Sequence, residues 1–321
     1  MRKDTDNRTV FLIFTNLVLF LALAIAVFCL LQVNDQPETQ TAEESAFHYQ
    51  IDEEALIRYA AHYGVSQEYL QLVLPGMLVY QDGAEYVFQE IDNHVPLHDY
   101  DWELLSYADG RTYYTDPDYP DVRYGIDVSE YQGEIDWQAV AADGIRFAFI
   151  RIGYRGYESG KLVADARSAE NLAGAAAAGL DIGVYFFSQA ITVEEAQEEA
   201  DMVLAAIDGY SLTCPVVFDM EEIYQQQART DILDREETTK IARAFCRQIE
   251  RAGLQAMIYG NTKWLAGRLD LAELTDYPLW FAQYYDKPLF PYDFCLWQYS
   301  NSGSVAGIET TVDLNIQFRP F

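Results

Sequence analysis

Apolar residues fall into three regimes along the chain. The first is a run from Val10 to Val33 that contains no charged residue, long enough to cross a bilayer as one helix. The second covers roughly residues 47–120. There Ile51 to Leu74 spaces its apolar residues as helices do, with a break at Gly64, which predicts two short helices. From Gly76 the pattern shifts to short runs, Met77-Leu-Val-Tyr80, Tyr86-Val-Phe88 and Thr112-Tyr-Tyr114, separated by Asp-Gly pairs that favour tight turns. These predict hairpins, and so a small α+β module. The third regime begins at Tyr124. Eight strand candidates follow: Tyr124–Val128, Phe147–Ile152, Ile182–Phe187, Val216–Met220, Ala256–Tyr259, Leu279–Ala282, Phe294–Gln298 and Thr311–Leu314. Several are near-continuous apolar runs, as expected for parallel strands buried on both faces.

Helix signals lie between the early strands. Ala164–Ala178 stops at Gly179, and Glu236–Ala252 stops at Gly253, both C-cap patterns. Thr192, with Glu195 three residues on, has the form of a capping box. Alternating strands and helices predict an α/β fold, a modified (β/α) barrel over residues 124–321. Short connections in the second half predict an irregular barrel there, with fewer helices than the regular form.

The flanks of the first run orient it. Arg2, Lys3 and Arg8 precede it and the acidic, polar stretch 34–46 follows. Positive residues stay cytoplasmic, so residues 1–33 read as a cytoplasmic tip and membrane anchor, with the C-terminal bulk outside. Residues 34–46 then form a flexible linker, and Asp116-Pro-Asp-Tyr-Pro120 a second one. A cleaved signal peptide is the alternative; against it, the apolar run is long and no small-x-small site follows.

Charge and residue types narrow the chemistry. The net charge is −30, which excludes a nucleic-acid partner and predicts short-range capture of any ligand. All four histidines, His48, His62, His94 and His98, precede residue 100. A Ser-His-Asp or Cys-His mechanism within the barrel is therefore excluded, as is a histidine-based metal site there. Cys214, Cys246 and Cys295 match no zinc spacing and read as buried free thiols, with Cys29 a thiol in the membrane.

Carboxylates remain. Asp127, Asp219, Glu221 and Asp313 sit where strand candidates end, at the face where such barrels carry their sites. Residues two apart on a strand point the same way, so Asp219 and Glu221 share a face and raise each other's proton affinity. That arrangement suits a glycosidase, in which one acid protonates a leaving oxygen while others stabilise positive charge on the ring. Tyr131, Tyr154, Tyr185, Tyr259, Trp280, Tyr284 and Trp297 lie near the same ends and offer faces to sugar rings. Gln298 and Asn315 add hydrogen-bonding groups. Glu222 and the acids of 194–199 read as solvated surface.

The stretch Gly125-Ile-Asp-Val-Ser-Glu-Tyr-Gln-Gly133 followed by Ile135-Asp-Trp137 resembles the opening signature of family-25 glycoside hydrolases, the lysozymes that cut bacterial peptidoglycan. The resemblance continues through Phe147-Ala-Phe-Ile-Arg-Ile152, Asn171 with Gly174 and Ala175, and Ala178-Gly-Leu-Asp-Ile-Gly-Val-Tyr185. It closes with Pro215-Val-Val-Phe-Asp-Met-Glu221, Leu296-Trp-Gln-Tyr-Ser300 and Gly307-Ile-Glu-Thr-Thr-Val-Asp-Leu-Asn315. It covers nearly all of 124–321 and says nothing of 1–120. It implies a modified β/α barrel that cleaves the β-1,4 bond from N-acetylmuramic acid to N-acetylglucosamine without a metal or other cofactor. By motif, Glu221 matches the general acid, Asp219 its partner, and Asp127 and Asp313 the other two acids. Phe186 departs from the histidine of many members, which predicts an altered subsite contact. Two readings stand beside this one: a wall-binding surface protein that has lost catalysis, and a glycosidase for another glycan. Whether Asp219 attacks, assists an N-acetyl group or activates water stays open at this level.

Overall fold

The computed structural model describes residues 64–83, 85–223 and 227–321, all within one compact unit. The anchor expected at Val10–Val33, the linker at 34–46 and the first of the two short helices lie outside the described residues. Among the described residues no helix is long and apolar enough to cross a membrane.

Eight strands close into a barrel: β5 (Arg123–Val128), β6 (Phe147–Arg155), β8 (Asp181–Ser188), β9 (Val216–Met220), β10 (Ala256–Asn261), β11 (Leu279–Ala282), β12 (Leu296–Gly303) and β13 (Val312–Gln317). A short strand, β7 (Leu162–Ala164), folds back onto β6 as a hairpin. Neighbours from β5 through β12 run parallel, but β13 runs antiparallel to both β12 and β5. The sequence pattern gives no direction for the last strand. The short link from β12 is a hairpin, and a hairpin reverses the chain.

Side chains alternate across the barrel wall, with register shifts after Arg151 in β6 and after Gln298 in β12. Inward positions such as Phe147, Phe149, Val217, Met257, Trp280 and Leu296 pack into one core inside the barrel. Outward positions such as Ile126, Ile150, Phe186, Phe218, Ile258 and Trp297 join a second core beneath the helices. Glycine makes room for the inner rings: a Cβ on Gly125 would meet the Phe147 ring at 2.2 Å, and one on Gly183 the Phe149 ring at 2.3 Å.

The helices covering the early strands are α2 (Trp137–Ala142), α3 (Ser168–Ala177), α4 (Val193–Ala206) and α5 (Arg235–Arg251), preceded in the chain by α1 (Gln67–Val73). The expected C-caps are present, with Gly179 at φ 75° and Gly253 at φ 80°. Thr192 caps α4 by accepting from the Glu195 N–H. Glu195 in turn accepts from Ile191, one residue beyond the expected partner. Helix α3 starts four residues later than Ala164, because Leu162–Ala164 pairs with β6 and Asp165 shapes the turn that follows. After β10 there are only a short π-helix and a 3-10 turn, the irregular half expected from its short connections.

The preceding segment forms α1, the hairpin β1 (Met77–Asp82) with β2 (Glu85–Glu90), and the hairpin β3 (Leu105–Ala108) with β4 (Arg111–Tyr114). Asp109 and Gly110 both take positive φ, the signature of the turn read from their sequence. The segment packs directly on the barrel. Tyr100 is buried, stacks on Phe318 at 4.3 Å and donates its hydroxyl to the Phe294 carbonyl at 2.5 Å. Trp102 lies against Phe294 and Trp297.

Candidate active site

The inward rows that are apolar at the base of the barrel turn polar at its top. Asp127 and Asp219 each lie one residue before the end of their strands, β5 and β9, and Glu221 follows β9. Asp313 is near the start of β13, not at its end, and strand reversal brings it to the same mouth as Asp127's direct neighbour. All four acids line one cavity of about 270 Å³, together with Tyr131, Tyr185, Tyr259, Trp280, Tyr284 and Gln298. Two residues expected there are elsewhere. Trp297 points outward and is fully buried, its indole N–H donating to the Gln283 carbonyl at 2.8 Å. Tyr154 does not line the cavity; it lies beside the Arg151 guanidinium, 5.5 Å from its ring centre. Phe186 also faces the outer core, and Phe187 lines the cavity instead. The departure from histidine at Phe186 is thus a packing change rather than an altered contact with ligand.

A chain of hydrogen bonds fixes the centre of the site. The hydroxyls of Tyr259 and Tyr284 each donate to Gln298 Oε1 at 2.8 Å. Gln298 Nε2 donates to Asp127 Oδ2 at 2.9 Å, and Asn315 Nδ2 donates to the same oxygen at 2.7 Å. The Trp280 indole N–H holds Asn315 Oδ1 at 2.8 Å. Each amide is therefore oriented by one neighbour and aimed at Asp127 by its other end. Burial pushes the Tyr185 and Tyr259 phenols well up, so both remain protonated donors.

The four acids form two proton-sharing pairs. Burial raises all four above the usual carboxylate range. Asp313 is pushed up to about 9 by burial, then by the charge of Asp127 and a hydrogen bond to it. Asp219 is raised by burial and next by Glu221, to which it is hydrogen-bonded. Glu221 stands at about 7, raised by burial and held down by that same bond. One proton thus belongs to the Asp219/Glu221 pair near neutral pH rather than to either residue alone. Asp219 is buried while Glu221 is partly exposed in the cavity wall, so Glu221 is the member that meets an incoming oxygen.

Arg151 carries no site signature in the sequence, yet among the described residues it is the one base lining the cavity. It is held by Asp165 at 2.8 Å and Glu130 at 3.2 Å, sits under the exposed ring of Tyr131 at 5.0 Å, and lowers the proton affinity of Asp219. A charged residue inside the apolar run Phe147–Ile152 was the available signal. Ser129, Gln132 and Phe187 complete the lining. Of the acids read as surface, Glu222 pairs with Lys263 at 2.5 Å, whereas Glu199 is fully buried against Arg155 at 2.7 Å. The three described cysteines are free and buried, as expected. Among the described residues no group of three or more His, Cys, Asp or Glu side chains is placed to hold a metal ion.

Comparison with known proteins places this geometry. The family model "Glycosyl hydrolases family 25" matches residues 126–308. The "Autolytic lysozyme" of Clostridium acetobutylicum is 30% identical over 192 residues, covering 60% of this chain and 54% of that protein. The chain thus spans about half the length of this relative. Among solved structures, the autolysin LytC of Streptococcus pneumoniae in complex with a synthetic peptidoglycan ligand matches with a TM-score of 0.56 and 22% identity, covering 76% of this chain and 57% of the other. A bacterial lysozyme from Streptomyces coelicolor matches with a TM-score of 0.51 and 27% identity, covering 60% and 90%.

Proposed function

The chain belongs to glycosyl hydrolases family 25, and on that premise we propose that it is a peptidoglycan hydrolase, a muramidase cutting the β-1,4 bond from N-acetylmuramic acid to N-acetylglucosamine. The observation that carries the reading is the convergence of Asp127, Asp219, Glu221 and Asp313 on one cavity, where burial raises the proton affinity of Asp219 and Glu221. Glu221 donates that proton to the glycosidic oxygen as the bond to the anomeric carbon breaks. Asp219 and Glu221 each shift the other's proton affinity. A carboxylate serving as nucleophile stands about 5–5.5 Å from the acid, and one that activates water about 6.5–9.5 Å. We assign Asp219 a third role. It orients the substrate's own acetamido group, whose oxygen closes on the anomeric carbon, and accepts its N–H. Water then opens that ring, giving its proton to Glu221. Asp127, fixed by Gln298 and Asn315, and Asp313 bind the sugar and hold the pair in place.

Digestion of purified peptidoglycan followed by mass analysis of the fragments tests this. Fragments should end in reducing N-acetylmuramic acid, formed first with retained configuration. Glu221→Gln should lower the rate about 10²- to 10⁴-fold with the fold intact. A variant that lyses walls at the normal rate would defeat the assignment.

The same reading places the enzyme on the outer face of a membrane, tethered by Val10–Val33 and acting on the cell's own wall. The charge-free run with its basic N-terminal flank supports it. Cell fractionation checks it: the intact chain should sediment with membranes, and a soluble product starting after residue 33 would refute the tether.

A further inference from the structure

The carboxylate cavity does not end at Glu221. A second groove, of about 440 Å³, opens on that residue's other side, and the two share Glu221, Tyr259 and Tyr284 as a common wall. Asp127, Asp219 and Asp313 face only the first. The far wall of the second groove comes from the segment before the barrel, from Gln67 of α1 and from Tyr80 and Gln81 of β1, outside the 126–308 stretch matched by the family. This wall is fastened to the site. Asp82 of β1 pairs with Lys263 at 2.7 Å, and Lys263 also holds Glu222, the neighbour of the candidate acid. The Tyr285 hydroxyl donates to Gln67 Oε1 at 3.3 Å. With Lys263 neutralised by two carboxylates, the groove presents amides and phenols, including Gln81, Asn261, Gln283 and Asn301. Amides donate and accept at once, which matches the hydroxyl and acetamido groups of an uncharged sugar. Tyr285 is 40% exposed and its ring offers a flat face.

We propose that the segment before the barrel builds the leaving-group side of the substrate groove, with Gln81 and Tyr285 binding sugars beyond the scissile bond. The inference rests on the muramidase reading. A general acid stands beside the oxygen it protonates, and Glu221 alone of the four acids borders both spaces. The bond therefore breaks at their junction: the ring that becomes the cation lies over Asp127 and Asp219, and the departing chain lies in the second groove.

The test compares two substrates for the unaltered enzyme and for Gln81→Ala/Tyr285→Ala, two exposed positions. Peptide-free glycan strands fill both spaces, whereas an aryl β-glycoside of the N-acetylglucosamine–N-acetylmuramic acid disaccharide ends just past the bond. The double variant should lower the ratio of kcat/KM for strands to that for the aryl glycoside about ten-fold, the scale of one hydrogen bond and one stacking face, with the loss carried by KM. An unchanged ratio overturns the proposal. An unaltered enzyme that releases no reducing ends from strands defeats the muramidase reading, and the leaving side falls with it.

Discussion

At the scale of single residues, the site is organised by where protons rest. Asp127 accepts from Gln298 and Asn315, so of the facing pair on β5 and β13 it is the member favoured as the anion, and Asp313 keeps the proton up to about 9. In the second pair Glu221 stands at about 7. An acid that must be protonated to act loses its proton above that value. kcat/KM on glycan strands should therefore fall on the alkaline side from about pH 7, roughly ten-fold per pH unit. A profile flat through about pH 9 would contradict the assignment. The same shifts set a sign for stability. Carboxylates released at about 4 in the unfolded chain stay protonated in the fold until about 7 at Glu221 and about 9 at Asp313. The folded state thus binds more protons across that window, and stability falls as pH rises through it. Glu221→Gln removes one ionisation, so its Tm should exceed that of the unaltered enzyme most clearly at the alkaline end, as thermal melts across the window would show.

At the scale of elements, what was legible in the sequence followed from local periodicity, and what was not depended on neighbours far along the chain. Apolar runs and glycine caps marked the barrel strands and the long helices, because strand burial and the αL cap are local demands. Inward parity was read correctly for Asp219 and Glu221, two residues apart. It fails at Trp297, which faces the outer core; Tyr154 follows a register shift in β6 that pairs it with the inward Phe187, yet it packs on Arg151 outside the lining. The direction of β13 had no local signal at all. Glu199 illustrates the same limit: it reads as one more acid on a charged helix face, yet it is fully buried because Arg155 of β6 comes up beneath α4. Arg155 Nε bonds Glu199 Oε1 at 2.7 Å, Nη1 the Gly160 carbonyl at 2.7 Å, and Nη2 the Glu195 carbonyl at 2.8 Å. Burial already lifts Glu199 to about 7 despite that partner. Arg155→Met should then cost about 3–5 kcal/mol, the range for breaking a buried pair from one side. Arg155→Met/Glu199→Leu should recover most of it, because no lone buried charge remains. Urea unfolding of the three proteins checks both statements. A double variant as unstable as the single one would mean that the carbonyl contacts of Arg155, rather than its charge pairing, fasten α4.

At the scale of the whole molecule, the question is whether the segment before the barrel is an appendage or part of the same cooperative unit. Its composition, acidic and turn-rich, reads as a separate module, but the contacts tell another story. Backbone bonds join Asp293 to Pro96 at 2.8 Å and His98 to Pro291 at 3.2 Å. Tyr100, Trp102 and Tyr114 form one aromatic layer with Phe294 and Phe318 of the barrel. Arg111 of β4 bonds Asp143 and the Ser304 carbonyl. The outer face of β12 and β13, over which no helix lies among the described residues, is covered by these rings, so the barrel relies on them to bury it. Melting should therefore proceed as one transition. Tyr100→Ala removes the ring stacked on Phe318 and the bond to the Phe294 carbonyl, and should cost about 3–5 kcal/mol, felt by barrel and segment together. Calorimetry decides between the alternatives. A single peak displaced to lower temperature supports a shared core. A new low-temperature peak beside an unmoved main one would mean that the barrel is stable without its cover, and that the groove wall at Gln81 is attached by the Lys263 bridge alone.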